Sequence, residues 1–178
     1  MAQFVLDRLR EKFPNAIEET TNHLGNETAY IKREAAFDVA MYLRDDDALK
    51  FDLPVDCSAV DWLNKKTPRF EIVYHLYSTT LKHRLRLKIR LDENDVETPA
   101  LTQVWKGMNW HERECWDMYG IIFRDHPKLK RILMYEEFEG FPLRKDYPVE
   151  GRQPLIEMRK VTTVPTEKEI TPEMLNRP

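Results

Sequence analysis

The stretch TLKHRLRLKIRLD, from Thr80 to Asp92, carries the strongest secondary-structure signal of the chain. Apolar side chains and one histidine alternate with cations along it. One set is Leu81, His83, Leu85, Leu87, Ile89 and Leu91, and the other is Lys82, Arg84, Arg86, Lys88 and Arg90. This period of two residues predicts a β-strand with one buried face. The preceding segment RFEIVYHLY also alternates, so the two segments predict a long antiparallel hairpin that turns around residues 78–80.

The cationic face of this strand has more than one interpretation. Five cations follow each other over about 27 Å, and like charges two residues apart repel each other unless water, acidic neighbours or another surface compensates them. The face is either solvated or docks on an acidic partner. A nucleic-acid site is a third interpretation, which the acidic remainder of the chain and the missing aromatic signature of RNA-binding proteins disfavour.

The composition limits the classes to which the protein can belong. Of its 178 residues 42% are hydrophobic, and 28 basic and 31 acidic residues give a net charge of −3. We expect a soluble protein with one real core and neither nucleic acid nor an anionic membrane as the main partner. Cys57 and Cys115 form no CxxC motif, which argues against a disulfide framework and for a reducing compartment. No apolar run approaches the roughly 18 residues of a membrane span, and the N-terminus lacks a signal-peptide pattern.

The remaining patterns predict helices packed on a mainly antiparallel sheet. Helical spacing occurs in residues 2–13, 34–49, 101–108 and 109–119, and strand-like runs occur on both sides of a turn at 23–26 and in 58–63, 121–123 and 131–135. From Glu136 onward prolines recur without a sustained period, which predicts an extended arm. We therefore expect an α+β domain over 1–135, followed by an extended, irregular C-terminal segment over 136–178.

The segment NWHERECWDMYG, residues 109–120, predicts a helix with charges on several sides. Asn109 and Glu112 have the spacing of a capping box, and Gly120 is suited to end the helix. Arg113 precedes Asp117 by four residues, the spacing of a surface ion pair. Glu112 is unusual because it shares the core-facing side with Cys115, Trp116 and Tyr119. A buried carboxylate at that position needs a donor.

Common catalytic and metal-binding motifs are missing from the sequence. The five glycines form neither GxGxxG nor GxxxxGK[ST], so a phosphate-binding loop is not expected. His111 and Cys115 are four residues apart and resemble half of a zinc site, or a base beside a thiol nucleophile, but no further ligand or third member accompanies them. His126 precedes Pro127 and is interpreted as a turn histidine whose ring reaches an acidic group. These residues favour a binding or structural module over a self-contained enzyme.

Two stretches resemble the signatures of a known family. The first is Glu112-Arg113-Glu114, two residues, Asp117, two apolar positions, six residues, His126, three residues, Lys130, and then Ile132-Leu133. The second is EGFPLRKDYP, from Glu139 to Pro148, which is similar to the family sequence EGHPLRKDFP. Both resemble the 30 kDa subunit family of respiratory complex I, also known as the C subunits of NADH-quinone oxidoreductase. Phe141 departs from the histidine of many members, so no imidazole role is carried over to that position.

The resemblance implies a structural subunit without cofactors in the peripheral arm of a proton-translocating NADH:quinone oxidoreductase. FMN, iron–sulfur clusters and quinone are then expected on partner subunits, and the partners are the quinone-site (49 kDa-type) subunit and iron–sulfur subunits, at the cytoplasmic side of the inner membrane. The residues expected at motifs and interfaces, none of them catalytic or metal-binding, are Glu112, Arg113, Glu114, Trp116, Asp117, Tyr119, Gly120, His126, Pro127, Lys130, Arg131, Gly140, Pro142, Leu143, Arg144, Lys145, Asp146, Tyr147 and Pro148.

The sequence alone leaves alternatives to this function open. The chain is also similar to the corresponding subunit of membrane-bound hydrogenases or of ferredoxin-dependent plastid-type complexes, and a thiol or zinc hydrolase using His111 and Cys115 is the alternative from another class.

Two structural hypotheses follow from the motifs. Glu112 is expected to be held by a basic residue of the second stretch or near it, with Arg131, Arg144 and Lys145 as candidates, so that Glu112→Ala costs about 3 to 5 kcal/mol. Residues 149–178 are expected to become ordered only on partner subunits.

Overall fold

The alternating segment of the sequence lies at the centre of the sheet. The structure, a computed structural model that describes residues 3–154, places β5 (Arg84–Leu91) between β4 (Phe70–Tyr77) and β2 (Asn26–Ile31). The other strands of this sheet are β1 (Ile17–His23) and β3 (Leu53–Asp61). The helices are α1 (Gln3–Lys12), α2 (Ala36–Asp45) and α3 (Met108–Tyr119), and β6 (Glu97–Pro99) pairs with β7 (Ile122–Arg124) in a small second sheet.

The predicted long hairpin is confirmed, with a wider turn than expected. β4 and β5 pair antiparallel from Phe70 opposite Leu91 to Tyr77 opposite Arg84. The strand begins at Arg84 and not near Thr80, because residues 78–83 form the turn, in which the Ser78 backbone N–H donates to the carbonyl of His83. His83 leaves the strand pattern and packs its ring against Phe51, with 4.7 Å between ring centroids.

The main sheet has the strand order β1-β2-β5-β4-β3 and is mixed. β1 and β2 form the predicted hairpin around residues 23–26, and β3 pairs antiparallel with β4. β2 and β5 pair in parallel, with Ala29 opposite Leu87. The expectation of a mainly antiparallel sheet in an α+β fold is therefore confirmed, with one parallel pair at its centre.

One face of this sheet and the helices form a single apolar core. The inward side chains of the hairpin, which include Tyr74, Leu87 and Ile89, are fully buried. α1 contributes Leu6 and Leu9 to the same cluster, and the other two helices contribute further buried side chains: Val39, Ala40 and Leu43 from α2, and Met108 and Cys115 from α3. The other face of the sheet carries the cations of β5, because successive strand residues point to opposite sides.

Two predicted elements are absent from residues 3–154, and one strand there was not predicted. Residues 101–107 form turns and not a helix, and α3 begins at Met108. Residues 131–135 form no strand. The apolar run at 121–123 does form a strand, β7, but its partner β6 was not predicted, because Glu97–Pro99 is too short to show a period.

The described part of the C-terminal segment contains turns but neither helix nor strand from residue 136 to residue 154. The expectation for residues 149–178 falls mostly outside the described residues and stays a prediction. Within residues 3–154, no helix is both long enough and apolar enough to cross a lipid bilayer.

Candidate functional site

Helix α3 carries the first family stretch and directs its charges to different sides. The helix follows Gly107 without a side-chain cap, so the predicted capping box of Asn109 and Glu112 is wrong. It ends as predicted at Gly120, whose φ is 75°. Glu112, Arg113 and Asp117 are buried, and Glu114 is exposed. Consecutive charges can differ in this way because a helix turns about 100° per residue.

Asp117 makes the densest set of hydrogen bonds at the site. It is fully buried, and its Oδ1 accepts a bond of 2.6 Å from Nη1 of Arg131. Its Oδ2 accepts the backbone N–H groups of Ile132, Leu133 and Met134 at 3.0, 2.8 and 2.9 Å. Burial raises the pKa of Asp117, but these donors outweigh burial and lower the pKa below its ordinary value. The strand predicted at 131–135 does not form because three successive N–H groups converge on this one carboxylate.

The predicted ion pair between Arg113 and Asp117 is wrong. Arg113 donates from Nε and Nη2 to the carbonyls of Lys130 and Arg131, both at 3.1 Å. Arg131 continues this pattern, since its Nη2 donates to the carbonyl of Phe138 at 2.8 Å. The two arginines thus bind carbonyl groups of the segment whose N–H groups bind Asp117. N–H groups and carbonyl groups of this segment that would otherwise lack partners are therefore both hydrogen-bonded.

The hypothesis that a basic residue holds Glu112 is also wrong. Glu112 is fully buried, and its Oε1 accepts the backbone N–H of Leu101 at 2.6 Å, while Oε2 lies 3.5 Å from the Thr102 hydroxyl. Of the three candidate partners, Arg131 binds Asp117, Arg144 donates to the carbonyl of Tyr119, and the backbone N–H of Lys145 donates to Asp61. Glu112 is buried and has no cation beside it, and this burial raises its pKa to about 8. The two hydrogen bonds act in the opposite direction but are outweighed.

His126 lies next to Glu112 but does not supply the missing charge. Its Nε2 is 3.9 Å from Oε2 of Glu112 and 3.2 Å from the carbonyl oxygen of Asn109. Its Nδ1 accepts the backbone N–H of Lys128 at 3.1 Å, so this nitrogen carries no proton. The ring is therefore neutral with its proton on Nε2, and burial lowers the pKa of His126. It acts as the turn histidine that the sequence predicts, and Glu112 is protonated near neutral pH.

The second family stretch packs on the end of α3. A Cβ atom on Gly120 would lie 2.6 Å from a ring carbon of Phe141 and 2.9 Å from Nη2 of Arg144. Arg144 Nε donates to the Tyr119 carbonyl at 2.6 Å, and the Leu143 N–H donates to the Met118 carbonyl at 3.1 Å. Glycine is thus required at position 120 both for its positive φ and for this close approach.

The same stretch is attached to the main sheet by two residues that the sequence analysis missed. Asp61, at the end of β3, accepts a bidentate pair from Arg69 at 2.9 and 2.8 Å and the Lys145 N–H at 2.8 Å. Burial opposes ionisation of Asp61, but these donors lower its pKa to about 2. Arg69 also binds Asp146 at 3.0 Å. The only sequence signal for this site is an aspartate at an inward position of a predicted strand.

The remaining motif residues lie at or near the surface. Tyr147 stacks on Phe138 with 5.9 Å between ring centroids, and its ring approaches Gly140, whose φ is 87°. Pro142 is partly buried. The exposed members are Glu114, Pro127, Lys130, Gly140, Leu143, Lys145, Asp146 and Pro148.

A cleft of about 530 Å³ opens beside the junction of the two stretches. Trp116, Leu129, Met134 and Tyr135 provide its apolar lining, and its charged lining consists of Lys130, Arg131, Glu136 and Glu137. Leu133, which directly precedes the cleft residue Met134, and Leu143 of the second stretch are 56% and 47% exposed. The charges of Asp117 and Arg113 are used internally, whereas the cleft itself combines apolar side chains with both positive and negative ones.

The hydrolase alternative has no support at the residues that suggested it. Nδ1 of His111 faces Asp56 at 3.6 Å. The Cys115 thiol donates to the Cys57 carbonyl at 3.2 Å and lies 3.7 Å from the Cys57 sulfur, with both cysteines buried. Burial raises the pKa of the Cys57 thiol well above its ordinary value, so Cys57 does not supply a thiolate in place of Cys115. In the described part of the chain, no group of three or more His, Cys, Asp or Glu side chains is placed to hold a metal ion.

Comparison with known proteins gives one family over most of the described residues. Residues 29–153 match the family described as "Respiratory-chain NADH dehydrogenase, 30 Kd subunit". The chain belongs to this family. The match contains both stretches and the partners that join them to the sheet, among them Asp61 and Arg69.

Members of the 30 kDa subunit family resemble the chain over most of their length. The C subunit of NADH-quinone oxidoreductase from Roseiflexus sp. (strain RS-1) is 48% identical over 145 residues, which cover 82% of this chain and 83% of the relative. The corresponding protein of Citrifermentans bemidjiense is 44% identical over 144 residues, which cover 81% of this chain and 88% of the relative.

Two solved structures have the same fold. A trypsin-resistant fragment of Nqo5 has a TM-score of 0.61 and 28% identity, and the match covers 72% of this chain and 98% of the fragment. A chain of an archaeal membrane-bound sulfane sulfur reductase has a TM-score of 0.70 and 21% identity, with 84% of this chain and 86% of that chain covered. The second likeness concerns the fold alone.

Replacing Asp117 with alanine is expected to destabilise the folded chain by about 3 to 5 kcal/mol. The change leaves the Arg131 guanidinium and three backbone N–H groups without their acceptor. Urea denaturation of the full chain measures the loss. Glu114→Ala, on the same helix but exposed, is the control and should change stability by less than about 0.5 kcal/mol. Equal effects of the two substitutions would contradict the role of Asp117.

Replacing Glu112 with glutamine is expected to remove part of the pH dependence of stability. The pKa of Glu112 is raised from 4.5 to about 8, so its contribution is complete below about pH 4.5 and is lost as pH rises to about 8. The wild-type chain should therefore lose up to about 1.4 kcal/mol per pH unit in this range relative to Glu112→Gln. Denaturation curves at several pH values measure the difference, in which other titrating groups cancel. Parallel curves for the two chains would show that Glu112 is ionised when folded.

Replacing Gly120 with alanine is expected to cost more than the same change at Gly25. Both glycines have positive φ, 75° and 77°, which costs alanine about 1 to 2 kcal/mol. No atom lies within 4 Å of the position that a Cβ would take at Gly25, whereas Phe141 and Arg144 crowd Gly120. Thermal unfolding of the two variants separates the backbone strain, common to both, from the close approach. If both lose equal stability, the second stretch does not pack on Gly120 in solution.

Proposed function

We propose that this chain is a structural subunit of the peripheral arm of a proton-translocating NADH:quinone oxidoreductase and supports electron transfer from NADH to quinone without performing a redox step itself. The observation that supports this most directly is the use of the family residues. The hydrogen bonds of Asp117 and Arg131 run to each other and to backbone groups of this chain. Residues that hold a surface in shape, and do not surround a reactive group, suit a scaffold.

Membership of the family supports the assignment to this complex. The relatives described above are named as C subunits of NADH-quinone oxidoreductase and are covered over four-fifths or more of their length. Their names favour an NADH-dependent complex over a hydrogenase or a plastid-type complex. We propose that FMN, the iron–sulfur clusters and quinone are all held by partner subunits.

We further propose that partner subunits dock on the cleft beside Trp116 and on the second stretch. Tyr135 lines the cleft, Leu133 is next to the cleft residue Met134, and Leu143 belongs to the second stretch. They are 39%, 56% and 47% exposed, an amount of apolar surface that suits burial against another protein. The quinone-site (49 kDa-type) subunit and the iron–sulfur subunits are the proposed partners. Contact with the membrane then occurs only through the complex.

The C-terminal segment over 136–178 is proposed as the second docking element, beside the domain over 1–135. The arrangement of residues 136–154, which have turns but no regular structure, supports this division. The solved relative that is described as a trypsin-resistant fragment of Nqo5 covers 72% of this chain, which also suits a protease-resistant domain with a separate end. In bacteria we place the subunit at the cytoplasmic side of the inner membrane.

Co-purification from gently solubilised membranes tests the proposed function. A tagged chain expressed in its host should bring down flavin, iron–sulfur absorbance and NADH:quinone activity. The double variant Leu133→Asp and Leu143→Asp should lose these partners, because it places charges on the proposed apolar interface, while the isolated chain should keep its melting temperature.

Leu81→Asp is a single-site control, since Leu81 is 42% exposed but lies in the β4–β5 turn. It should keep the partners. Recovery of the wild-type chain alone, without flavin or iron–sulfur protein, would overturn the proposed function.

A further inference from the structure

The face of the main sheet opposite the helices has no role in the contacts that join the family stretches. β5 directs Arg84, Arg86, Lys88 and Arg90 to this face. The fifth cation of the alternating segment, Lys82, lies in the β4–β5 turn and is not part of the strand. The question raised by the sequence, whether this charge is solvated or bound, thus concerns four residues.

Two of the four cations are compensated within the chain. Lys88 binds Oε2 of Glu71 at 3.1 Å. Arg90 binds Oε2 of Glu19 at 2.5 Å, and its guanidinium lies 3.9 Å from the centroid of the Tyr30 ring. Acidic groups of the adjacent strand β4 and of β1, one strand further away, therefore offset the positive charge at one end of β5.

The cations at the other end of β5, Arg84 and Arg86, are not compensated in this way. Within residues 3–154, neither Arg84 nor Arg86 forms an ion pair of 4.0 Å or less with a carboxylate. The Arg84 guanidinium lies 5.3 Å from the Tyr77 ring centroid. Nε of Arg86 is buried and makes no hydrogen bond. A buried donor without an acceptor is unfavourable, so this end of the strand has unused capacity for an anionic acceptor.

Arg84 and Arg86 line an open cleft of about 270 Å³ at the end of the sheet. His75, which is opposite Arg86 in the β4–β5 register, and Asn26 of β2 add polar groups to the lining. Glu27 also lines the cleft and has a partner of its own. Asp56 is opposite His75 in the β3–β4 register, and its carboxylate is 3.6 Å from His111.

Apolar side chains are exposed around this basic cleft. Val55 is part of its lining and is 50% exposed. Leu24, next to the cleft residue Gly25 in the β1–β2 turn, is 88% exposed. A cleft with two arginines and exposed apolar neighbours has the composition of a protein interface, in which arginine is enriched and binds carboxylates through two parallel hydrogen bonds.

We propose that this cleft, the Arg84–Arg86 cleft, binds an acidic segment of a partner subunit. A carboxylate of that segment binds Arg84 and Arg86, and an adjacent apolar side chain packs on Val55 and Leu24. The inference rests on the proposed function, because it requires that the chain works inside a multi-subunit complex. It adds a further docking surface, whose lining residues are all different from those of the cleft beside Trp116.

The charge of the chain itself favours an external partner. Residues 155–178 contain four acidic and four basic side chains, so this segment has no excess of negative charge to offer to the cleft. A partner segment rich in Asp or Glu provides the ion pairs that Arg84 and Arg86 do not form within residues 3–154.

Charge reversal in the assembled complex tests the proposal. Arg84→Glu with Arg86→Glu should make the chain leave the purified complex at least about tenfold faster in a salt wash than the wild-type chain. Lys12→Glu with Lys106→Glu is the matched control, because it changes the same number of charges at exposed positions outside the cleft. Retention of the Arg84 and Arg86 variant at the wild-type level would overturn the proposal. A variant that fails to fold is replaced by Arg84→Gln with Arg86→Gln.

Site-specific crosslinking identifies the occupant directly. A photoreactive amino acid at Val55 in the intact complex should crosslink to a peptide of a partner subunit with Asp or Glu within a few residues of the attachment point. Crosslinks to residues of this chain alone, to nucleic acid, or to a peptide without acidic residues would overturn the cleft proposal. A wild-type chain that co-purifies with the complex while these tests fail contradicts only the cleft. A wild-type chain without partners contradicts the proposed function as well.

Discussion

The family-specific part of this protein depends on one buried carboxylate. Asp117 lies on a helix that belongs to the core, and its four donors belong to a segment without regular structure. A segment of that kind has few hydrogen bonds of its own to offset the entropy lost when it is ordered. The carboxylate accepts hydrogen bonds from three consecutive N–H groups. It also accepts one from the Arg131 guanidinium, a cation whose burial would otherwise be unfavourable. Arg113 and Arg131 complete the arrangement by binding carbonyl groups of the same segment and its continuation.

Two carboxylic acids five residues apart on α3 therefore have opposite ionisation states. Asp117 meets a guanidinium and three amides, so its charged form is favoured in spite of burial. Glu112 meets one amide, one hydroxyl and a neutral imidazole, and burial prevails. The difference comes from the number and charge of the donors. Both residues serve the same structural purpose, because each attaches α3 to a segment without helix or strand hydrogen bonds of its own. Protonated carboxyl groups can do this as long as they retain an acceptor oxygen.

The sequence predicted those parts of the fold that have a strong period. The alternating segment 80–92 predicted β5 and the hairpin with β4, and the apolar spacing of 109–119 predicted α3 and its end at Gly120. The inward position of Glu112 was also predictable from helical geometry. Its partner was not, because Leu101 contributes a backbone N–H, and a backbone group is the same in every residue type. The strand expected at 131–135 failed for a related reason: the apolar composition of RILMY was visible, but the convergence of its amides on Asp117 is a tertiary effect. Asp61 and Arg69 were missed because each is unremarkable in its own segment, and only the sheet brings them to Lys145 and Asp146.

The parallel pairing at the centre of the sheet has a consequence for the order in which the protein is built. β4 and β5 are joined by a short turn and can meet as soon as both are synthesised, whereas β2 must find a partner more than fifty residues later in the chain, since Ala29 pairs with Leu87. Until β5 leaves the ribosome, the β1–β2 hairpin has an unpaired edge and an apolar face with Ala29 and Ile31, and a lone hairpin is only marginally stable in water. Closure of this long loop is entropically unfavourable and is the natural slow step of folding. The nascent N-terminal hairpin is thus the segment that most needs protection from wrong strand pairing during synthesis.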